Sequence, residues 1–165
     1  MFIRKSTQED LEAISNLLKI CFGDRTKYGA TDNLEDRYVL AFENEQLIAM
    51  TGLVERSPSY YGSEIDWTCV LPEYRGKGLM TSILSFVIKE TDRDIYCSCL
   101  RLHDNDRVNL QHCMDRLGFE CVAKAHKRFC SDYMRACDDC VFKQPKTCHC
   151  CEDLYVKRQR IFLKK

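Results

Sequence analysis

The chain lacks a net charge, a long apolar run and the glycine patterns of the common nucleotide-binding loops. Lysine plus arginine and aspartate plus glutamate both number 25 in 165 residues. No overall positive potential therefore draws it to an anionic membrane, and the balance argues against nucleic acid as a partner. No apolar run approaches the ~20 residues that a membrane span requires, and Met1-Phe2-Ile3-Arg4-Lys5 has no signal-peptide core. The expectation is a soluble, cytoplasmic protein. Neither Gly-Lys-Ser/Thr nor Gly-x-Gly-x-x-Gly occurs, which excludes a Walker A loop and a dinucleotide fingerprint. No internal repeat or low-complexity tract is visible. At this length a single domain, 1–165, is expected, burying about two-thirds of the surface of its unfolded chain.

Cysteine, by contrast, is abundant. Twelve in a small secreted chain would suggest a disulfide framework, but without an export signal, and with most of them scattered through strand-like and helical patterns, reduced thiols fit better. Cys69, Cys97, Cys99, Cys113 and Cys121 sit among apolar residues and read as small buried hydrophobes. The stretch 130–152 is denser and more polar. Its Cys137-Asp138-Asp139-Cys140 and Cys148-His149-Cys150-Cys151 offer the ligand types and approximate spacing of a small tetrahedral zinc site. The expected structural ligands are Cys137, Cys140, Cys148 and Cys150, with Cys151, His149 or Cys130 as substitutes. Free thiols or a redox pair are the alternatives.

Along the chain, Phe2–Lys5 reads as a strand, and Ser6-Thr7-Gln8-Glu9 as a capping box before Leu11, Ile14, Leu17, Leu18 and Cys21 at helical spacing. Residues 23–36 read as a loop or a short helix. Two apolar runs, Tyr38 to Phe42 and Leu47 to Val54, form a hairpin across Glu43-Asn44-Glu45-Gln46, with a bulge expected at Gly52. From Glu64 to Val70, apolar Ile65, Trp67 and Cys69 alternate with Glu64, Asp66 and Thr68, so both carboxylates share one face. A helix carries Leu79, Met80, Ile83, Leu84, Val87 and Ile88 as its core stripe. Asp94 to Leu100 reads as a strand, Leu110 to Leu117 as a helix stopped by Gly118, and the segments from Phe119 and from Leu154 as an antiparallel pair holding the cysteine-rich stretch at its tip. These elements support an α/β or α+β domain.

Between strand and helix lies Val70-Leu71-Pro72-Glu73-Tyr74-Arg75-Gly76-Lys77-Gly78-Leu79-Met80-Thr81. Its glycines allow close backbone approach, and the helix that follows presents unpaired N–H groups and its positive dipole end, so an anion is the natural occupant. The stretch resembles the acetyl-coenzyme A signature of the GNAT acetyltransferase superfamily, Arg/Gln-x-x-Gly-x-Gly/Ala preceded by Val-x-Pro. Met80 stands where that signature has a small residue. The element order is similar to the GNAT layout over most of the chain.

The resemblance implies a mixed, splayed sheet flanked by helices, and transfer of an acetyl group from acetyl-coenzyme A to a primary amine of a small molecule or protein. It implies the pantetheine arm against Val70 and Leu71, and the pyrophosphate on the amides from Arg75 through Gly76, Lys77, Gly78, Leu79 and Met80 to Thr81. Attack on the thioester needs a neutral amine, and a nearby carboxylate can take its proton. Glu64 is the expected base, because its spacing to Arg75 resembles that of the general-base glutamate to the signature glutamine in histone acetyltransferases of the superfamily; Asp66 is second. Where many members have a tyrosine this chain has Met114, which cannot protonate the leaving thiolate. A non-catalytic acyl-coenzyme A-binding module, or a protein-interaction module built on the cysteine-rich hairpin, are the alternatives.

Overall fold

The computed structural model describes residues 1–23, 30–55, 62–102, 107–108, 110–126 and 151–159. These fall into two compact units, one of Met1–Ile95 with the chain from Gln159, the other of Tyr96–Arg158.

The first unit is an antiparallel sheet in the order β1 (Phe2–Lys5), β2 (Tyr38–Glu43), β3 (Gln46–Glu55) and β4 (Gly62–Val70), together with helices α1 (Leu11–Phe22) and α2 (Leu79–Lys89). The β2–β3 hairpin turns on Asn44 and Glu45, both with positive φ (47° and 65°). A two-residue turn of that kind matches the twist of the strands it joins. Tyr38, Val39, Leu40 and Ala41 are all buried, so β2 is covered on both faces and shows no alternation. Ile14, Leu17 and Leu18 of α1 and Ile83, Leu84 and Val87 of α2 supply the helical side of the core. Leu11 of the predicted stripe is exposed.

The helix start differs from the sequence expectation by one residue. The cap is Thr7 with Asp10, not Ser6 with Glu9: the Asp10 carboxylate accepts from the Thr7 N–H at 2.8 Å, and a short 3-10 turn over Gln8–Asp10 leads into α1. Asp10 also accepts from both terminal guanidinium nitrogens of Arg4 at 2.6 and 2.7 Å. Ser6 is instead buried, its hydroxyl donating to the Leu34 carbonyl and accepting from the Tyr38 N–H at 2.9 Å. A capping motif read from spacing cannot distinguish neighbouring Ser and Thr. Arg4, six residues before Asp10 on β1, fixes the carboxylate that makes the choice.

The second unit begins inside β5 (Asp94–Leu102) and continues with β6 (Arg107–Val108), α3 (Gln111–Arg116), β7 (Glu120–His126) and β8 (Cys151–Lys157). α3 ends in a Schellman motif: Gly118 at φ 72° sends its N–H to Asp115, and Phe119 sends its own to Met114. Lys157 donates to the Leu117 carbonyl at 2.6 Å, adding a cation at the negative end of the helix. β7 pairs antiparallel with β8. The predicted zinc ligands Cys137, Cys140, Cys148 and Cys150 lie outside the described residues. Among the described residues no group of three or more metal-ligating side chains is gathered.

Candidate active site

The end of β4 and the loop that follows carry the site. Met50 pairs with Cys69 and Gly52 with Asp66, so two steps along β3 face three along β4. The irregularity falls at Gly52 as expected, with the extra residue on β4, where Trp67 takes it up at φ 42°. Gly52 has a different duty. A Cβ there would lie 2.9 Å from the Tyr38 ring, so only glycine lets that ring cross the strand.

The bulge changes which residues share a face. Cross-strand partners point the same way, so Asp66 with Gly52 and Cys69 with Met50 lie on one face, and Ile65 with Leu53 lies on the other. Glu64, opposite Val54, joins Asp66 as expected. Cys69 does not join Ile65. Both Cys69 and Ile65 are buried, each against its own side of the sheet.

Asp66 is held by Arg37, whose Nη2 lies 3.4 Å from Oδ2 and whose Nη1 donates to the Asp32 carbonyl at 2.6 Å. The Arg37 guanidinium also lies 5.0 Å over the Tyr38 ring. Glu64 is half-buried two residues before Asp66. An edge contact from Phe22 of α1, with ring centroids 5.9 Å apart, fixes Trp67 at the bulge.

Beyond β4, the backbone closes on itself before it opens. The Leu71 N–H donates to Ile48 at 2.9 Å, the Tyr74 N–H to Leu71 at 3.0 Å and the Arg75 N–H to Pro72 at 3.2 Å. The Val70 carbonyl accepts from Arg75 Nε at 3.0 Å and from the Cys21 thiol at 3.6 Å. Gly76 and Gly78 follow with φ of 75° and 77°, and a Cβ at either would meet nothing within 4 Å. Gly78 is the N-cap of α2 and makes no side-chain cap. α2 thus starts without a side-chain cap behind two glycines that border open space, with Arg75 and Lys77 in the same loop. That arrangement suits the pyrophosphate of a coenzyme A ester, which takes N–H donors and a positive helix end.

Met80, the departure from the signature, is turned away from this space. It is buried with Leu79, Ile83 and Leu84 on the core side of α2, so its length does not crowd an anion at the helix start. Lys77 rests 5.0 Å over the Tyr74 ring. Met114 is fully buried in the second unit, within the helix closed by Gly118.

Cys21 is the site residue that periodicity hid, because a cysteine in an apolar stripe reads as packing. Its thiol is pulled down to about 7, chiefly by a hydrogen bond from Cys69 and further by the Arg75 guanidinium, against its partial burial and Glu73. The same interaction with Cys21, and after it burial, push the Cys69 thiol up.

A family model described as the acetyltransferase (GNAT) family matches residues 9–119, about two-thirds of the chain. No curated protein matches. Among solved structures, the aminoglycoside 6'-N-acetyltransferase from Enterococcus faecium superposes with a TM-score of 0.69 at 13% identity, over 95% of this chain and 96% of that one. An aminoglycoside 6'-N-acetyltransferase complexed with coenzyme A gives 0.65 at 13% identity, covering 95% and 96%. The ribosomal protein alanine N-acetyltransferase from Escherichia coli gives 0.64 at 15% identity, covering 94% and 90%. At these identities the likeness is one of fold.

Proposed function

The chain belongs to the acetyltransferase (GNAT) family, and from that premise we propose that it transfers an acetyl group from acetyl-coenzyme A to a primary amine. The observation that carries the reading is the uncapped start of α2 behind two positive-φ glycines, inside the stretch that the family model covers. The pyrophosphate is assigned to the backbone from Arg75 through Thr81, with Lys77 adding charge. The pantetheine arm is assigned to Val70 and Leu71. An amide N–H of that arm would take over the Val70 carbonyl from the Cys21 thiol, which is the weaker of its two donors.

Bound there, acetyl-coenzyme A supplies an acetyl thioester, and the chain's own groups bring up the amine and remove its proton. Glu64 is the proposed base. The support for it is its spacing to Arg75, similar to that of the general-base glutamate to the signature glutamine in histone acetyltransferases of the family; it shares a face with Asp66, which Arg37 engages. With Met114 buried, the leaving thiolate takes its proton from solvent or departs on its own acidity.

The acceptor is an amine on a small molecule or a protein, as in the relatives whose structures are similar. Calorimetric titration with acetyl-coenzyme A, followed by a screen of amines for free-thiol release, tests the proposal. Binding without release from any amine would leave a coenzyme-binding module; no binding would remove the reading altogether.

A further inference from the structure

Acetyl transfer, as proposed above, constrains where along β4 the acceptor lies. With the pyrophosphate on the backbone from Arg75 to Thr81 and the pantetheine arm on Val70 and Leu71, the coenzyme runs backwards along the chain. Its thioester end is then directed toward the residues before Val70. The proposed base, Glu64, lies further back on the same strand. An amine that reaches both has to lie along the residues between them, and Trp67 is midway, about 10 Å from either end at the rise of a strand.

The residues around Trp67 are already occupied. Ile65 and Cys69 are buried in the core. Asp66 is engaged by Arg37, and the Thr68 hydroxyl meets that of Thr51 at 2.7 Å. Trp67, the largest side chain of this stretch, keeps part of its surface accessible. It does so in a conformation that a bulky residue rarely takes, at φ 42°. Strain of that kind persists only where the surroundings over-determine it. Here the Phe22 ring meets the indole at 5.9 Å and 71°, and the Thr68 hydroxyl spans the bulge at 3.5 Å from the Asp66 carbonyl. A tryptophan serving only as core filling would be buried. This one is held in place from two sides and left half-exposed.

We infer, on the premise of acetyl transfer, that Trp67 is the residue that binds the acceptor, its indole forming the wall on which the carbon skeleton beside the reacting amine packs. An indole offers a large flat apolar area and a single N–H donor. The acceptor class it fits is a primary amine borne on an apolar skeleton, aromatic rings included, in preference to a hydrophilic one.

Trp67 is the only tryptophan of the chain, so its fluorescence, excited where tyrosine does not absorb, reports on this position alone. The full-length chain is assayed for free-thiol release from acetyl-coenzyme A with 2-phenylethylamine and with ethanolamine as probes. KM should be about 10-fold lower for 2-phenylethylamine, the scale of one aromatic contact with its buried area. Trp67→Ala should raise that KM to the ethanolamine value while calorimetry finds acetyl-coenzyme A affinity unchanged, and Trp67→Phe should restore most of the preference. In the unsubstituted chain loaded with coenzyme A, 2-phenylethylamine should change the indole emission and saturate near its KM. Release from neither amine, equal KM values in the parent, a preference that survives in Trp67→Ala, or an emission unmoved by 2-phenylethylamine each overturns the assignment. The emission measurement decides the question even if Trp67→Ala does not fold. Failure of the parent to bind acetyl-coenzyme A would remove the acetyl-transfer premise itself, whereas binding and thiol release with a silent Trp67 would remove only the acceptor assignment.

Discussion

Replacing Gly78 by valine separates the strain of the glycine loop from its proposed contact with an anion. Gly78 has φ 77° and caps α2, and a Cβ there would touch no protein atom within 4 Å, so the fold resists the substitution only through the backbone. A left-handed conformation costs an L-residue about 1–2 kcal/mol, and a β-branched one stands at the upper end. For a domain of this size that corresponds to a fall in the thermal midpoint of roughly 2–8 °C. The binding effect is separate. The valine methyls would fill the space in front of the first turn, and losing one charge-assisted N–H contact costs about 1.5–3 kcal/mol. Acetyl-coenzyme A affinity should therefore weaken about 10- to 150-fold. Gly118→Val is the control: its φ of 72° imposes comparable strain in the other unit, where no anion is assigned. Calorimetry and thermal unfolding on both variants separate the effects. If Gly78→Val binds acetyl-coenzyme A as tightly as the parent, or if Gly118→Val weakens binding as much, the pyrophosphate does not sit on the start of α2.

Glu64→Gln should lower turnover by about 10²–10⁴-fold, the range for loss of a positioned base, with little change in acetyl-coenzyme A affinity; unaltered turnover across a pH series would make Asp66 the next candidate. Elemental analysis of protein prepared without chelator should find about one zinc per chain, as expected for a four-coordinate structural site at Cys137, Cys140, Cys148 and Cys150, and metal-free protein would remove those ligands. Asp10→Ala should cost about 2 kcal/mol at neutral pH, since Asp10 loses both nitrogens of a guanidinium and the Thr7 N–H, discounted because Arg4 is partly exposed. Arg4 holds the Asp10 carboxyl below its ordinary value, so this stability is fully present above the usual carboxylate range near ~4 and is lost as pH falls through the depressed value. Urea midpoints of parent and variant should converge in acid; a gap that persists or widens there would show that the carboxylate is not what Asp10 contributes.

Most of the fold could be read from the chain because its signals are local. The β2–β3 turn, the stripe of α2 and the stop at Gly118 each rest on residues within one turn or one strand. The helix cap differs by one residue because Arg4, six residues earlier on β1, holds the Asp10 carboxylate, a contact outside the four residues of a capping-box pattern. The apolar run of β2 agrees with a strand covered on both faces, although what packs on each face is a property of its neighbours and not of the strand itself.

The bulge is where period-two reasoning fails in a way that matters for the site. Ile65 and Cys69 are four apart, so strict alternation places them together, yet one residue out of register at Trp67 sends them to opposite faces. Nothing in the residue types announces this, since tryptophan at positive φ is contrary to its intrinsic preference. The conformation is held by Phe22 on one side and by the Thr51 and Thr68 hydroxyls, 2.7 Å apart, across the strands. The same slip removes Cys69 from the Ile65 face and leaves Asp66 on the face it shares with Glu64, where Arg37 reaches it. Glycine loops are legible because their chemistry is written in consecutive residues. The faces taken by Ile65 and Cys69 depend on one unpaired residue in the middle of β4, and straightening that strand would return the two to one face.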